Sequence, residues 1–174
     1  LAERGANIVG LDISAAMLQE ARSKARAKGV GDHLEFLRGD AARLPLPDDH
    51  FDTVFAMRFC HLADTPASFL AEMARVSKDQ VFFDTFNRFS TRSIYNWMLP
   101  MGSRLYDDDE VERLLKGAGL RLARADHDFV LPFGLYRQLP DNVADVFRRF
   151  DTSLGDTPAG DPLASVSYWD ARVQ

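Results

Sequence analysis

Three side chains stand where chemistry could be done: Asp12, Asp40 and His61 each lie at or just beyond the end of a short apolar run. Residues 7–14 read as a buried parallel strand that stops at Asp12. In an open α/β sheet, ligands bind outside the carboxyl ends of the strands. A carboxylate there can accept two hydrogen bonds from the vicinal hydroxyls of a ribose, so a nucleoside-containing cofactor is one reading of Asp12. The other reading is that Asp12 opens the helix that follows. Residues 33–38 alternate and meet Gly39 and Asp40, which repeats the geometry. Two neighbouring parallel strands that each end in an Asp can flank one ligand, with Asp12 on the ribose and Asp40 on an exocyclic amino group of a base. Asp40 also reads as a plain turn residue after Gly39. His61 follows a third run, residues 51–57. Its ordinary titration range suits a general base, and it equally suits a residue that only orients the next helix.

The elements that must position these groups alternate strand and helix. Ser14 is a candidate N-cap for a helix whose inner face carries Met17, Leu18, Ala21 and Ala25, and which ends near Gly29. After the third strand, Asp64 is read as the cap and Pro66 as the first turn of a helix with Phe69, Leu70, Met73 and Val76 inside. Residues 80–87 make a fourth strand. This alternation predicts a mostly parallel α/β sheet with right-handed crossovers. Residues 88–106 are rich in large apolar groups and predict one covering helix, in which Tyr95, Trp97 and Met98 could stack on a flat ligand or pack as core. The acidic run 107–110 fits a helix start better than a calcium or magnesium ligand set. A strand over 120–130, a turn at 131–137, a helical stretch carrying Val143 to Phe150 and a Gly- and Pro-rich loop over 151–162 follow. A closing strand over 163–173 is expected to pair antiparallel at the sheet edge.

Composition narrows the function classes. A chain of 174 residues with 46% hydrophobic and 27% charged content is sized for one domain, residues 1–174. A net charge of −5 with scattered Lys and Arg argues against a nucleic-acid partner. The single cysteine, Cys60, excludes an intramolecular disulfide and a cysteine zinc cluster, and reads as a buried small hydrophobe in a reducing, cytoplasmic setting. His33, His50 and His127 fall in separate segments without metal-ligand spacing, so no metal is expected. No apolar stretch approaches the roughly 20 residues a bilayer span needs. Residues 1–5 read as the last turn of a helix closed by Gly5, which implies sequence before it.

Taken in order, Val9-Gly10-Leu11-Asp12-Ile13-Ser14-Ala15-Ala16-Met17-Leu18, Gly39-Asp40-Ala41-Ala42-Arg43-Leu44-Pro45, Phe51-Asp52-Thr53-Val54, His61-Leu62-Ala63-Asp64, Glu72-Met73-Ala74-Arg75-Val76 and Asp84-Thr85-Phe86-Asn87 resemble the class I S-adenosylmethionine-dependent methyltransferases of the UbiE/UbiG-like type. The likeness covers about residues 1–87. It implies a Rossmann-like, mostly parallel sheet whose last strand inserts antiparallel, S-adenosylmethionine as cofactor and a small-molecule methyl acceptor. It further implies that Asp12 binds the cofactor ribose and Ile13 packs on the adenine. By the same likeness Asp40 receives the adenine amino group, the backbone of Ala41 meets a ring nitrogen, and Arg58 and Phe59 lie beside the methionine portion. The segment 88–106 would shape the acceptor pocket. The family's Gly-x-Gly-x-Gly loop and first strand precede Leu1 and are not among these residues, so the resemblance implies a piece of a longer polypeptide with weakened cofactor binding. Two rivals remain open: a degenerate, non-catalytic Rossmann-like interaction module, and an NAD-dependent dehydrogenase, which would share Asp12 but does not call for Asp40.

Overall fold

The computed structural model describes residues 1–90, 93, 103–128 and 164–174. Contacts group the chain into two compact units, Leu1–Pro47 and Asp48–Gln174.

In the first unit, the turn Ala2–Arg4 is closed by Gly5 at φ 85, whose N–H donates to the Ala2 carbonyl. Strand β1 (Ile8–Asp12) leads into helix α1 (Ala15–Ala27), and a short turn at Gly31–His33 leads to β2 (Leu34–Arg38). The two strands are parallel, with Ile8 opposite Leu34 and Asp12 opposite Arg38. Ser14 caps α1 as its sequence context predicts, its hydroxyl accepting from the Met17 N–H at 3.3 Å. Leu18 and Ala25 are the buried side chains of α1. Met17, expected on the inner face, is 54% exposed, because it sits about 100° around the helix from Leu18. Strand β1 is half-buried along its length rather than buried, since among the described residues it pairs with β2 alone. Gly10 lies opposite Phe36, and a Cβ there would sit 3.2 Å from the Phe36 ring, so the aromatic side chain closes directly over bare backbone.

The second unit holds β3 (Phe51–Ala56), α2 (Pro66–Val76), β4 (Ser77–Phe86), α3 (Asp108–Gly117), β5 (Leu120–Asp128) and β6 (Val166–Val173). Its sheet runs β3-β4-β6-β5, with β3 and β4 parallel and β6 antiparallel to both β4 and β5. The closing strand forms the expected antiparallel pair at the sheet edge with β5, and it pairs on its other side with β4, so it is inserted and β5 is the edge. Burial explains it. Val166, Ser167, Trp169 and Ala171 are all buried, and a strand covered that fully belongs inside a sheet. The α/β class, the parallel pairings and the antiparallel last strand stand as expected.

Helix α2 starts at Pro66, where a missing N–H costs nothing, after an N-cap at Thr65 rather than Asp64 and without a side-chain cap bond. It buries Phe69, Leu70, Met73 and Val76, and the chain passes straight into β4 at Ser77, three residues earlier than the aromatic run suggests. Trp169 of β6 lies 6.5 Å from Phe83 of β4, centroid to centroid, and its indole N–H donates to the Thr85 hydroxyl at 2.8 Å. Full burial of side chains such as Leu70, Phe83 and Leu115 stabilises the unit by about 1.5–3 kcal/mol each. No helix among the described residues is long and apolar enough to cross a membrane. The helix expected within 88–106 lies largely outside the described residues, as do the turn, helix and loop expected over 131–162.

Candidate functional site

The two strand-end carboxylates lie in the first unit and share one local device. Asp12 Oδ1 accepts from the Ser14 N–H at 2.7 Å, and Asp40 Oδ1 accepts from the Ala42 N–H at 2.9 Å. Each Asp thus closes an Asx turn two residues on, which fixes its carboxylate plane. In each case the other oxygen, Oδ2, has no partner among the described residues. The helix-opening and turn-forming readings account for the Oδ1 atoms. Asp12 is half-buried and Asp40 exposed. Two bonds brace the strand ends: Gly39 N–H to the Asp12 carbonyl at 3.2 Å, and Arg38 Nε to the Ile13 carbonyl at 3.0 Å. Ile13 leaves its side chain 68% exposed beside Asp12, while Ala41 is half-buried in the turn after Asp40. An open depression on this unit, bounded by Arg22, Ala25, Arg26, Leu34 and Phe36, lies along the helix-covered flank rather than at the strand ends.

In the second unit, the turn after β3 carries the other candidates. Arg58 sits at φ 59, in the left-handed region that a non-glycine residue seldom occupies. Its N–H donates to Asp84 Oδ1 at 2.5 Å and its Nε lies 3.4 Å from Asp84 Oδ2. Its guanidinium carbon is 5.6 Å from the Phe86 ring centre. The Phe59 ring packs on Phe69 of α2 with centroids 4.4 Å apart. The next three residues, Cys60–Leu62, form a single turn. His61 is half-buried with its ring 4.6 Å from that of Phe86, and its carbonyl accepts from the Arg104 N–H at 3.0 Å. Cys60 is buried, and its thiol is pushed up to about 12 by burial and then by the Asp84 carboxylate, so it stays a neutral thiol rather than a nucleophile. The Tyr106 hydroxyl donates to the Cys60 carbonyl at 2.8 Å, and burial is the main cause that pushes its phenol up to about 12.

The structure therefore groups Asp12, Ile13, Asp40 and Ala41 in one unit and Arg58, Phe59 and His61 in the other. Tyr95, Trp97 and Met98 lie outside the described residues. Sequence reasoning counted Asp84 in the family likeness without giving it a role, and passed over Tyr106. Asp84 had a signal, a lone acid after Val81, Phe82 and Phe83; Tyr106 had none, since a tyrosine at the end of an apolar stretch is unremarkable. In the acidic run, Asp107 caps α3 by accepting from the Glu110 N–H at 2.8 Å, and Glu110 pairs with Arg88 and Arg104. No group of three or more His, Cys, Asp or Glu side chains among the described residues could hold a metal ion.

Comparison with known proteins adds an independent finding. Residues 1–83 match the family described as Methyltransferase domain. A sterol 24-C-methyltransferase of Gibberella zeae is 29% identical over 109 residues, covering 63% of this chain and 26% of that protein. The ubiquinone/menaquinone biosynthesis C-methyltransferase UbiE of Stutzerimonas stutzeri is 32% identical over 122 residues, covering 62% of this chain and 46% of that protein. The chain thus matches less than half the length of either relative. Among solved structures, the magnesium protoporphyrin IX methyltransferase of Synechocystis PCC 6803 with bound SAH superposes with a TM-score of 0.69 at 14% identity, over 99% of this chain and 67% of that one, a likeness of fold.

Proposed function

We propose, from the methyltransferase-domain match over residues 1–83, that this chain is a class I S-adenosylmethionine-dependent methyltransferase and that residues 1–174 act as one domain that transfers a methyl group to a small-molecule acceptor. The observation that carries the reading is the carboxylate at the end of β1: Asp12 is locked by its own turn through Oδ1 and presents Oδ2, beside an Ile13 side chain that is 68% exposed. A fixed acceptor next to an uncovered apolar side chain suits a ribose joined to a flat base, so the residues present fit the adenosyl end of S-adenosylmethionine. The bound cofactor would supply a sulfonium-activated methyl group, which leaves the protein mainly to orient and enclose the reactants.

In this reading Asp12 holds the ribose hydroxyls and Ile13 covers the adenine. Asp40 accepts the adenine amino group and the Ala41 backbone meets a ring nitrogen. Arg58 and Phe59 bound the methionine portion, with the Phe59 ring anchored on Phe69 so that its backbone rather than its ring faces the ligand. Where the acceptor is a hydroxyl, His61 takes its proton; for other acceptors it orients the turn. The segment 88–106, with Tyr95, Trp97 and Met98, walls the acceptor. The relatives are named for sterol and ubiquinone/menaquinone methylation, which supports a small, largely apolar acceptor.

Isothermal titration of the intact protein with S-adenosylhomocysteine tests the reading. Saturable binding that weakens at least about tenfold in Asp12→Ala is expected, because hydrogen bonds to a charged acceptor are worth about 1.5–3 kcal/mol. Binding indifferent to Asp12→Ala, or binding of NAD in its place, overturns it.

A further inference from the structure

Asp84 stands apart from its surroundings. It is 2% exposed in a strand whose Val81, Phe83 and Phe86 are buried apolar groups, and a buried carboxylate persists only where donors compensate it. Both contacts come from one residue: the backbone N–H of Arg58 donates to Oδ1 at 2.5 Å, while Oδ2 makes no hydrogen bond and is met only by the Arg58 guanidinium as an ion pair, Nε at 3.4 Å. Strand register explains the reach. Ala56 of β3 lies opposite Phe83 of β4, so the next residue along β4 extends its side chain to the backbone just past the end of β3. Arg58 is also the residue at φ 59.

We propose that Asp84 is a positioning residue: its carboxylate clasps Arg58 by backbone and side chain together and so holds the turn after β3 in the left-handed conformation that sets the direction of residues 58–61. An acid serving only to neutralise a guanidinium would need the side-chain contact alone. Here the shorter bond goes to the backbone, at the residue whose conformation is strained. Residues further along are tied separately, Cys60 by the Tyr106 hydroxyl and His61 by the Arg104 N–H, so Asp84 fixes the entry to the turn and these fix its exit. The consequence for ligand rests on the methyltransferase reading, in which this turn bounds the cofactor's methionine portion.

Hydrogen exchange at the amides of residues 58–62 tests the clasp without any ligand. In the intact protein, Asp84→Ala is expected to speed exchange there at least about tenfold while the amides of α2 and β6 keep their protection. Adding Arg58→Gly to Asp84→Ala is expected to restore slow exchange at residues 60–62, because glycine occupies the left-handed region without strain. Exchange in Asp84→Ala that is unchanged, or that rises equally across the unit and is not restored by the glycine, overturns the proposal. Titration with S-adenosylhomocysteine separates the two ideas. Affinity that falls about tenfold in Asp84→Ala and less in Asp84→Asn, which keeps an acceptor for the Arg58 N–H, supports both. Slow exchange lost and restored as expected in a protein that never binds S-adenosylhomocysteine supports the clasp and overturns the cofactor reading.

Discussion

Replacing Tyr106 by Phe isolates one hydrogen bond at the turn. The side chain is 2% exposed and its backbone bridges the end of β4 and the residues just after it, Tyr106 N–H to the Phe86 carbonyl and Arg88 N–H to the Tyr106 carbonyl, each at 2.8 Å. None of that changes in Tyr106→Phe. What is lost is the 2.8 Å bond from the hydroxyl to the Cys60 carbonyl. That carbonyl keeps a weaker bond from the Ala63 N–H at 3.3 Å, so it is not orphaned, and the cost is placed at about 1 kcal/mol rather than near the 3 kcal/mol of a fully unsatisfied buried group. The alkaline limb gives a second, sharper signature. Tyr106 rises from 10.0 to about 12 in the fold and Cys60 from 9.0 to about 12. A raised folded value means that the folded state keeps a proton the unfolded chain releases. The stabilisation is complete below each unfolded value and drains away as pH climbs toward the folded one. Between pH 10 and about 12 each group therefore lowers stability by up to about 1.4 kcal/mol per pH unit. Urea unfolding followed by circular dichroism at pH 8, 10 and 11 reads both effects. Tyr106→Phe is expected to lose about 1 kcal/mol at pH 8 and to show about half the wild-type alkaline slope, since Cys60 alone then contributes. A variant within about 0.3 kcal/mol of wild type at pH 8 and with an unchanged slope refutes the buried phenol-carbonyl bond.

Two further substitutions probe each unit. Asp107→Ala removes the cap of α3 and the ion pair with Arg88 at 2.9 Å, and urea unfolding should show a loss of about 1–1.5 kcal/mol, with Asp107→Asn keeping the cap and most of the stability. Gly10→Val pushes a branched side chain against a Phe36 ring that a bare Cβ already meets at 3.2 Å, so hydrogen exchange in β1 and β2 should report a local loss of about 1–3 kcal/mol while β4 and β6 keep wild-type protection.

The features legible in the sequence are those with local causes. Strand ends at Asp12 and at Arg38, just before Asp40, follow from where apolar runs stop and glycine or serine begins. The caps at Ser14 and Asp107 come from a polar side chain within three residues of the amide it meets. Even the Asx turns of Asp12 and Asp40 span two residues. The α/β class followed from the alternation of such elements, and the inserted last strand came only with the family resemblance, because pairing is not a local property. What tertiary structure decided spans long separations. Strand β6 takes its place between β4 and β5 because Trp169 finds Phe83 and Thr85 more than eighty residues earlier. Asp84 becomes a clasp only because Arg58, twenty-six residues back, turns at the neighbouring strand end. Tyr106 meets a carbonyl forty-six residues away. Sequence periodicity fixes which face of an element is apolar; which donor meets which buried acceptor depends on strand order and register, and these are set when the packed sheet closes over its core.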